Sequence, residues 1–293
     1  MLTGIFPPIP TPFVSNEIAF DKLRDNLRAF IRDGVSGMVA LGSNGEAAYL
    51  SRREKLALLE HSRAILPKDM LLIAGAGLES IQETIALTNA AAQRGVNAAL
   101  VITPSFYRGK MDHKALIRYY TSVADVTDIP VLIYNAPKFT GINIAPETVS
   151  ELAGHPNIIG IKNSSENMAH LGEIIQRTPP DFSVLVGTAS VLFSGISLGA
   201  SGAIVALANI AAKECLQIFQ WTNSGEWEKA RELQLKMIPV NKAVTAAYGI
   251  AGLKAAMDML GCFGGLPRSP LGAISPSDRK ALAHILKTAG LRV

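Results

Sequence analysis

Two hydrophobic patterns alternate along this chain. Short runs that are apolar at nearly every position fall at Thr3 to Phe6, Gly37 to Leu41, Leu71 to Ala74, Ala98 to Ile102, Val131 to Tyr134, Ile158 to Lys162, Val184 to Gly187 and Ala203 to Ala206. They recur at intervals of roughly 20 to 35 residues, and amphipathic segments of helical length separate them. Runs without polar alternation suit parallel strands covered by helices. Helix starts are marked at Ser51-Arg52-Arg53-Glu54, which reads as a capping box, and at Ser275-Pro276-Ser277-Asp278, with proline at the first helical position. Eight β-then-α repeats without a composition shift predict an α/β fold, a (β/α)8 TIM barrel, with a doubly wound sheet as its rival.

From about Ala211 the pattern is helical to the carboxyl end, with breaks near Asn223 to Gly225 and across Gly261 to Pro270. One barrel helix needs only part of that length. The expected division is therefore a barrel over residues 1–224 and a C-terminal helical extension over 225–293, which covers the barrel or joins subunits.

Composition narrows the function. With 48% hydrophobic and 18% charged residues, the 293-residue chain is read as a soluble globular protein. The net charge of +4 is dispersed, and no aromatic residues interleave with basic ones, so no nucleic-acid partner is expected, while an anionic metabolite suits the mild positive balance. No apolar run is long and unbroken enough for a membrane span, no leader is visible, and the expected location is cytoplasmic. Cys215 and Cys262 read as free thiols. The histidines and cysteines lack metal-ligand spacing, so no metal is expected.

The residue that breaks the pattern is Lys162, an ammonium closing an otherwise apolar strand. Alternation puts Ile158, Gly160 and Lys162 on one face and Ile159 and Ile161 on the other, with Gly160 leaving room beside the lysine. A lysine taken out of water loses its proton more readily and becomes a carbonyl nucleophile. On this strand alone, a lysine reaching from a strand end into water is the commoner reading.

Other residues fall at the same end of the predicted barrel. Strand five ends in Tyr134, either a proton-transferring phenol or a tyrosine that fills the barrel top. Strand two runs into Gly42-Ser43-Asn44-Gly45-Glu46, a tight turn whose N–H groups and side chains suit a carboxylate, or an ordinary βα turn. The loop Thr103 to Gly109 carries adjacent aromatics at Phe106 and Tyr107, which suits a binding or subunit contact. Gly75-Ala76-Gly77 imitates the start of a dinucleotide fingerprint but lacks its third glycine.

Together, Gly42-Ser-Asn-Gly-Glu46, Tyr107, Tyr134-Asn-Ala-Pro137, Thr140-Gly141 and Gly160-Ile-Lys162 resemble the dihydrodipicolinate synthase/N-acetylneuraminate lyase family of class I aldolases, over nearly the whole chain. The resemblance implies a lyase that forms a Schiff base between Lys162 and the keto carbon of pyruvate, without a metal or organic cofactor. Tyr134 would move protons, relayed through Ser43 and through Tyr107 of a neighbouring subunit. Ser43 and Asn44 would hold the carboxylate, and the Ile204 backbone would line the pocket. A homo-oligomer follows, a dimer or a homotetramer built as a dimer of dimers.

The chain departs from the synthase pattern at the second substrate. Where dihydrodipicolinate synthases read Tyr-Asn-Val-Pro-x-Arg-Thr-Gly, this chain has Lys138 and then Phe139, which cannot supply a guanidinium. Asn44 stands where the synthases usually have threonine. Tyr107-Arg-Gly109, His155-Pro-Asn-Ile158, Ala206-Leu-Ala-Asn209, Gly252-Leu-Lys254 and Gly264-Gly265 resemble 4-hydroxy-2-oxoglutarate aldolase, which releases pyruvate and glyoxylate. The expectation is therefore cleavage of 4-hydroxy-2-oxoglutarate or a similar 2-oxo acid. The alternatives are condensation of pyruvate with aspartate semialdehyde, as in a synthase, and a non-catalytic barrel that binds a 2-oxo acid.

Overall fold

The computed structural model describes residues 1–293. Eight parallel strands form one sheet: β1 (Gly4–Phe6), β2 (Gly37–Ala40), β3 (Leu71–Gly75), β4 (Ala98–Ile102), β5 (Val131–Asn135), β6 (Ile158–Asn163), β7 (Ser183–Val186) and β8 (Gly202–Ile204). Each pairs with the next in sequence from β2 to β8, and β8 pairs with β1. A bridge between Pro8 and Val39 joins β1 to β2 and closes the barrel. The doubly wound alternative is excluded by that consecutive order.

The helices α1 (Phe20–Asp33), α2 (Arg52–Ile65), α3 (Ile81–Ala92), α4 (His113–Ala124), α5 (Pro146–Leu152), α6 (Met168–Arg177), α7 (Leu192–Ser197) and α8 (Ala212–Asn223) follow the strands in turn. Three further helices complete the chain: α9 (Trp227–Lys242), α10 (Gly249–Met259) and α11 (Pro276–Thr288). A π-helical turn at Ala243–Ala247 separates α9 from α10. Both expected N-caps form. Ser51 accepts from the Glu54 N–H while Glu54 accepts from the Ser51 N–H, and Ser275 accepts from the Asp278 N–H. No helix is long and apolar enough to cross a membrane.

Apolar side chains fill the barrel from within, including Phe6, Val39, Ile73, Leu100, Leu132, Leu185 and Ile204. A second layer packs strands against helices. On β6 the expected alternation holds only in part. Ile158 and Ile161 pack outward and Ile159 inward, because Val131 pairs with Ile158 but Leu132 pairs with Gly160. This one-residue slip flips the start of the strand. Regular alternation resumes beyond it, so Lys162 still faces the barrel interior. The expected room beside Gly160 is taken: a Cβ there would meet the Ser183 carbonyl at 2.3 Å and Leu132 Cδ2 at 3.0 Å.

Candidate active site

Tyr134 and Lys162 pair directly across β5 and β6, and Asn135 pairs with Asn163 one residue beyond. The pairing puts both candidate side chains at one level of the barrel mouth. Lys162 is 4% exposed, with Nζ 4.1 Å from the Tyr134 ring centroid. No carboxylate lies within ion-pair distance of it. The Tyr134 hydroxyl stands 3.3 Å from Ser43 Oγ. Burial alone would raise the Tyr134 pKa, but the Lys162 charge and hydrogen bonds with Ser43, Lys162 and Ser164 outweigh it and leave the phenol more acidic than ordinary tyrosine. A phenol so tuned gives up its proton more readily than an ordinary tyrosine.

Ser43 is delivered by a strained turn. Leu41 and Glu46, both non-glycine, adopt left-handed backbone angles (φ 59° and 54°) on either side of the single 3₁₀ turn Ser43–Gly45. Such conformations cost energy and persist where surrounding contacts enforce them. Thr11 Oγ1 donates to the Gly45 carbonyl at 2.6 Å. The Gly45 and Glu46 N–H groups close the turn, and those of Ser43 and Asn44 take no part in closing it.

The other end of this turn is held by buried charge. Glu46 Oε1 lies 2.5 Å from Lys254 Nζ, and both side chains are essentially inaccessible. Glu46 Oε2 accepts the Arg268 N–H, and Lys254 also donates to the Leu266 carbonyl. The Lys254 ammonium and the Arg268 guanidinium lie over the Phe13 ring, 4.5 and 4.4 Å from its centroid. Burial pushes Lys254 below the ordinary lysine range, against the pull of Glu46 in the other direction. Arg268 reaches on to Glu54, whose pKa falls to about 2 chiefly through that hydrogen bond. The C-terminal extension thus clasps the Ser43 turn through Glu46.

Behind the β5–β6 pair runs a buried amide network. Asn135 Nδ2 donates to Asn143 and Asn163, Asn135 Oδ1 accepts the Ile144 N–H, and His170 bridges Asn163 to the Ile144 carbonyl. These bonds lock the strand ends that carry Tyr134 and Lys162.

The remaining expected residues differ in how far they are withdrawn from solvent. Ile204 is buried in the inner cluster. Asn44 is half-buried beside Ser43. Tyr107 is 70% exposed, packed edge-to-face on Phe106, and is not hydrogen-bonded to Ser43 or Tyr134 of its own chain. Glu79 pins that loop by accepting the Ser105 and Phe106 N–H groups. Phe139 is exposed, while the Lys138 ammonium is committed to the Thr245 carbonyl at 3.1 Å. Sequence reasoning missed Ser164, Thr11 and the Lys254–Arg268 clasp. None of them interrupts a periodic pattern, and their partners lie far away along the chain.

Comparison with known proteins agrees with this fold. The model of the dihydrodipicolinate synthetase family matches residues 1–289. The chain is 36% identical to the 4-hydroxy-tetrahydrodipicolinate synthase of Thermodesulfovibrio yellowstonii, covering 99% of each protein. It is 35% identical to the synthase of the same name from Methanocaldococcus jannaschii, covering 99% of this chain and 100% of that one. The crystal structure of dihydrodipicolinate synthase from Thermotoga maritima superposes with a TM-score of 0.95 at 29% identity, covering 99% of both chains.

Proposed function

The chain belongs to the dihydrodipicolinate synthetase family, and from that premise we propose that it makes or breaks a carbon–carbon bond next to the keto carbon of pyruvate through an imine on Lys162. The observation that carries this reading is the cluster of buried Lys162 and Tyr134 with half-buried Ser43 at the barrel mouth.

Lys162 Nζ attacks C2 of pyruvate through its lone pair. Tyr134 protonates the departing oxygen, and water leaves as the protonated imine forms. That cation acidifies C3, the Tyr134 phenolate left by the first step takes a C3 proton to give the enamine, and the enamine adds to the carbonyl carbon of an aldehyde as Tyr134 protonates the aldehyde oxygen. Hydrolysis then frees the lysine. In the cleavage direction the hydroxyl proton of the substrate passes to Tyr134, the bond breaks, and the electron pair is received by the imine. The imine is itself the electron sink, so we assign no metal or organic cofactor to the reaction. The Ser43 hydroxyl hands protons on from Tyr134, and the Ser43–Asn44 turn, with the Ile204 backbone, would hold the pyruvate carboxylate. Tyr107 completes the relay if it enters the site of a second copy of the chain. The active unit would then be at least a dimer.

For the carbonyl partner, the names of the full-length relatives favour condensation with aspartate semialdehyde. That is the alternative of the sequence reading rather than its first expectation. A specific observation keeps 4-hydroxy-2-oxoglutarate cleavage as the second reading: Phe139 occupies the position of the synthase arginine, and Asn44 that of its threonine. Steady-state kinetics with pyruvate plus aspartate semialdehyde and with 4-hydroxy-2-oxoglutarate decide between them. Faster turnover of the first pair supports the synthase reading, and cleavage alone overturns it.

A further inference from the structure

We propose that Arg108 binds the carboxylate of the second substrate and so supplies the cation that position 139 lacks. This inference rests on the pyruvate reading above and adds the group that selects the aldehyde.

The placement is specific. Gly141 closes the single turn Pro137–Thr140 that follows β5, and its φ is +69°. A Cβ on Gly141 would come within 3.2 Å of Arg108 Nη1 and 3.5 Å of Arg108 Cδ. The Arg108 stem and head therefore lie on the bare face of the segment that carries Phe139. Lys138 is tied to the Thr245 carbonyl. Arg108 forms no ion pair, whereas Arg52, Arg177 and Arg268 each hold a glutamate. Its backbone is fixed, because the Arg108 N–H donates to the Ser105 carbonyl and Glu79 anchors Ser105 and Phe106. Tyr107 and Phe106 of the same turn are exposed, while Arg108 lies against Gly141 in the loop after β5 of its own chain.

Both aldehydes under consideration, aspartate semialdehyde and glyoxylate, carry a carboxylate. An exposed guanidinium without an internal partner, beside the loop that follows β5 at the end of the barrel carrying Tyr134, fits that group in a forked arrangement that a lysine cannot reproduce.

The test measures aldol addition of pyruvate to a carboxylated aldehyde (glyoxylate or aspartate semialdehyde) and to uncharged acetaldehyde, in the wild type, Arg108→Ala and Arg108→Lys. Borohydride trapping of pyruvate is run in parallel. The expected result for Arg108→Ala is a loss of roughly 10- to 100-fold in kcat/KM for the carboxylated aldehyde. Acetaldehyde should change by no more than about threefold, and trapping of pyruvate should persist. Arg108→Lys should recover part of the loss. Equal losses for both aldehydes, or no loss for either, with trapping intact, would overturn the role of Arg108 alone. Failure of the wild type to trap pyruvate would overturn the pyruvate reading and this inference with it.

Discussion

Lys162 and Lys254 are both withdrawn from water, and both ammonium groups face an aromatic ring, yet their surroundings set them apart. Lys254 has a carboxylate at 2.5 Å, a carbonyl at 3.1 Å and no accessible surface. Lys162 has no carboxylate, faces a phenol and opens onto the barrel mouth. The difference teaches that burial does not by itself make a lysine reactive. A carboxylate turns a buried lysine into a structural clasp, and in the proposed reaction a phenol beside it with an open approach makes it a nucleophile.

Matched substitutions sharpen this contrast. Lys162→Met should lower turnover by at least about 1,000-fold, as loss of a covalent nucleophile does, while leaving the thermal midpoint unchanged or raised, since no ion pair is lost. Turnover within tenfold of wild type would break the comparison. Tyr134→Phe removes the proton carrier and keeps the ring, so kcat should fall by about 100- to 10,000-fold with pyruvate trapping slowed but present. Lys254→Met should do the opposite of Lys162→Met. It strands Glu46 and should cost about 3–5 kcal/mol in denaturant unfolding, with the Glu46→Leu/Lys254→Met pair costing less than the sum of its parts.

The smallest effect concerns acid. Glu54 is held at about 2 in the folded chain, below its ordinary value near 4.5. Its contribution to stability is present above that ordinary value and is lost as pH falls toward 2. Thermal melts across that window should therefore decline more steeply for the wild type than for Glu54→Gln. Parallel curves would show that the Arg268 clasp on α2 adds nothing measurable.

The two lysines also mark what the sequence made legible. The barrel could be read because every strand is apolar on both faces, and Lys162 stood out as the exception to that rule. Its level relative to Tyr134 followed from the strand ends. Lys254 could not be read in this way. It lies in a helix among apolar neighbours, and its partner Glu46 sits in a turn more than two hundred residues away. The slip at Ile158 was equally hidden, because a run of isoleucines looks the same in either register. The hairpin of Phe13–Val14 with Glu17–Ile18, too short and too polar to signal a strand, brings Phe13 beneath both Lys254 and Arg268. Asn44, in the Ser43 turn, and Phe139, at the second-substrate position, were visible from the start as departures from the synthase pattern. The free guanidinium of Arg108 beside Gly141 emerged only in three dimensions.

The central claim is that Lys162, and not Lys254, bonds to pyruvate. Borohydride reduction of the protein with pyruvate, followed by peptide mass mapping, addresses it directly. The account predicts a reduced pyruvyl adduct on the Lys162 peptide of the wild type and none on any peptide of Lys162→Met. A labelled Lys254 peptide, or an unlabelled wild type, would contradict it.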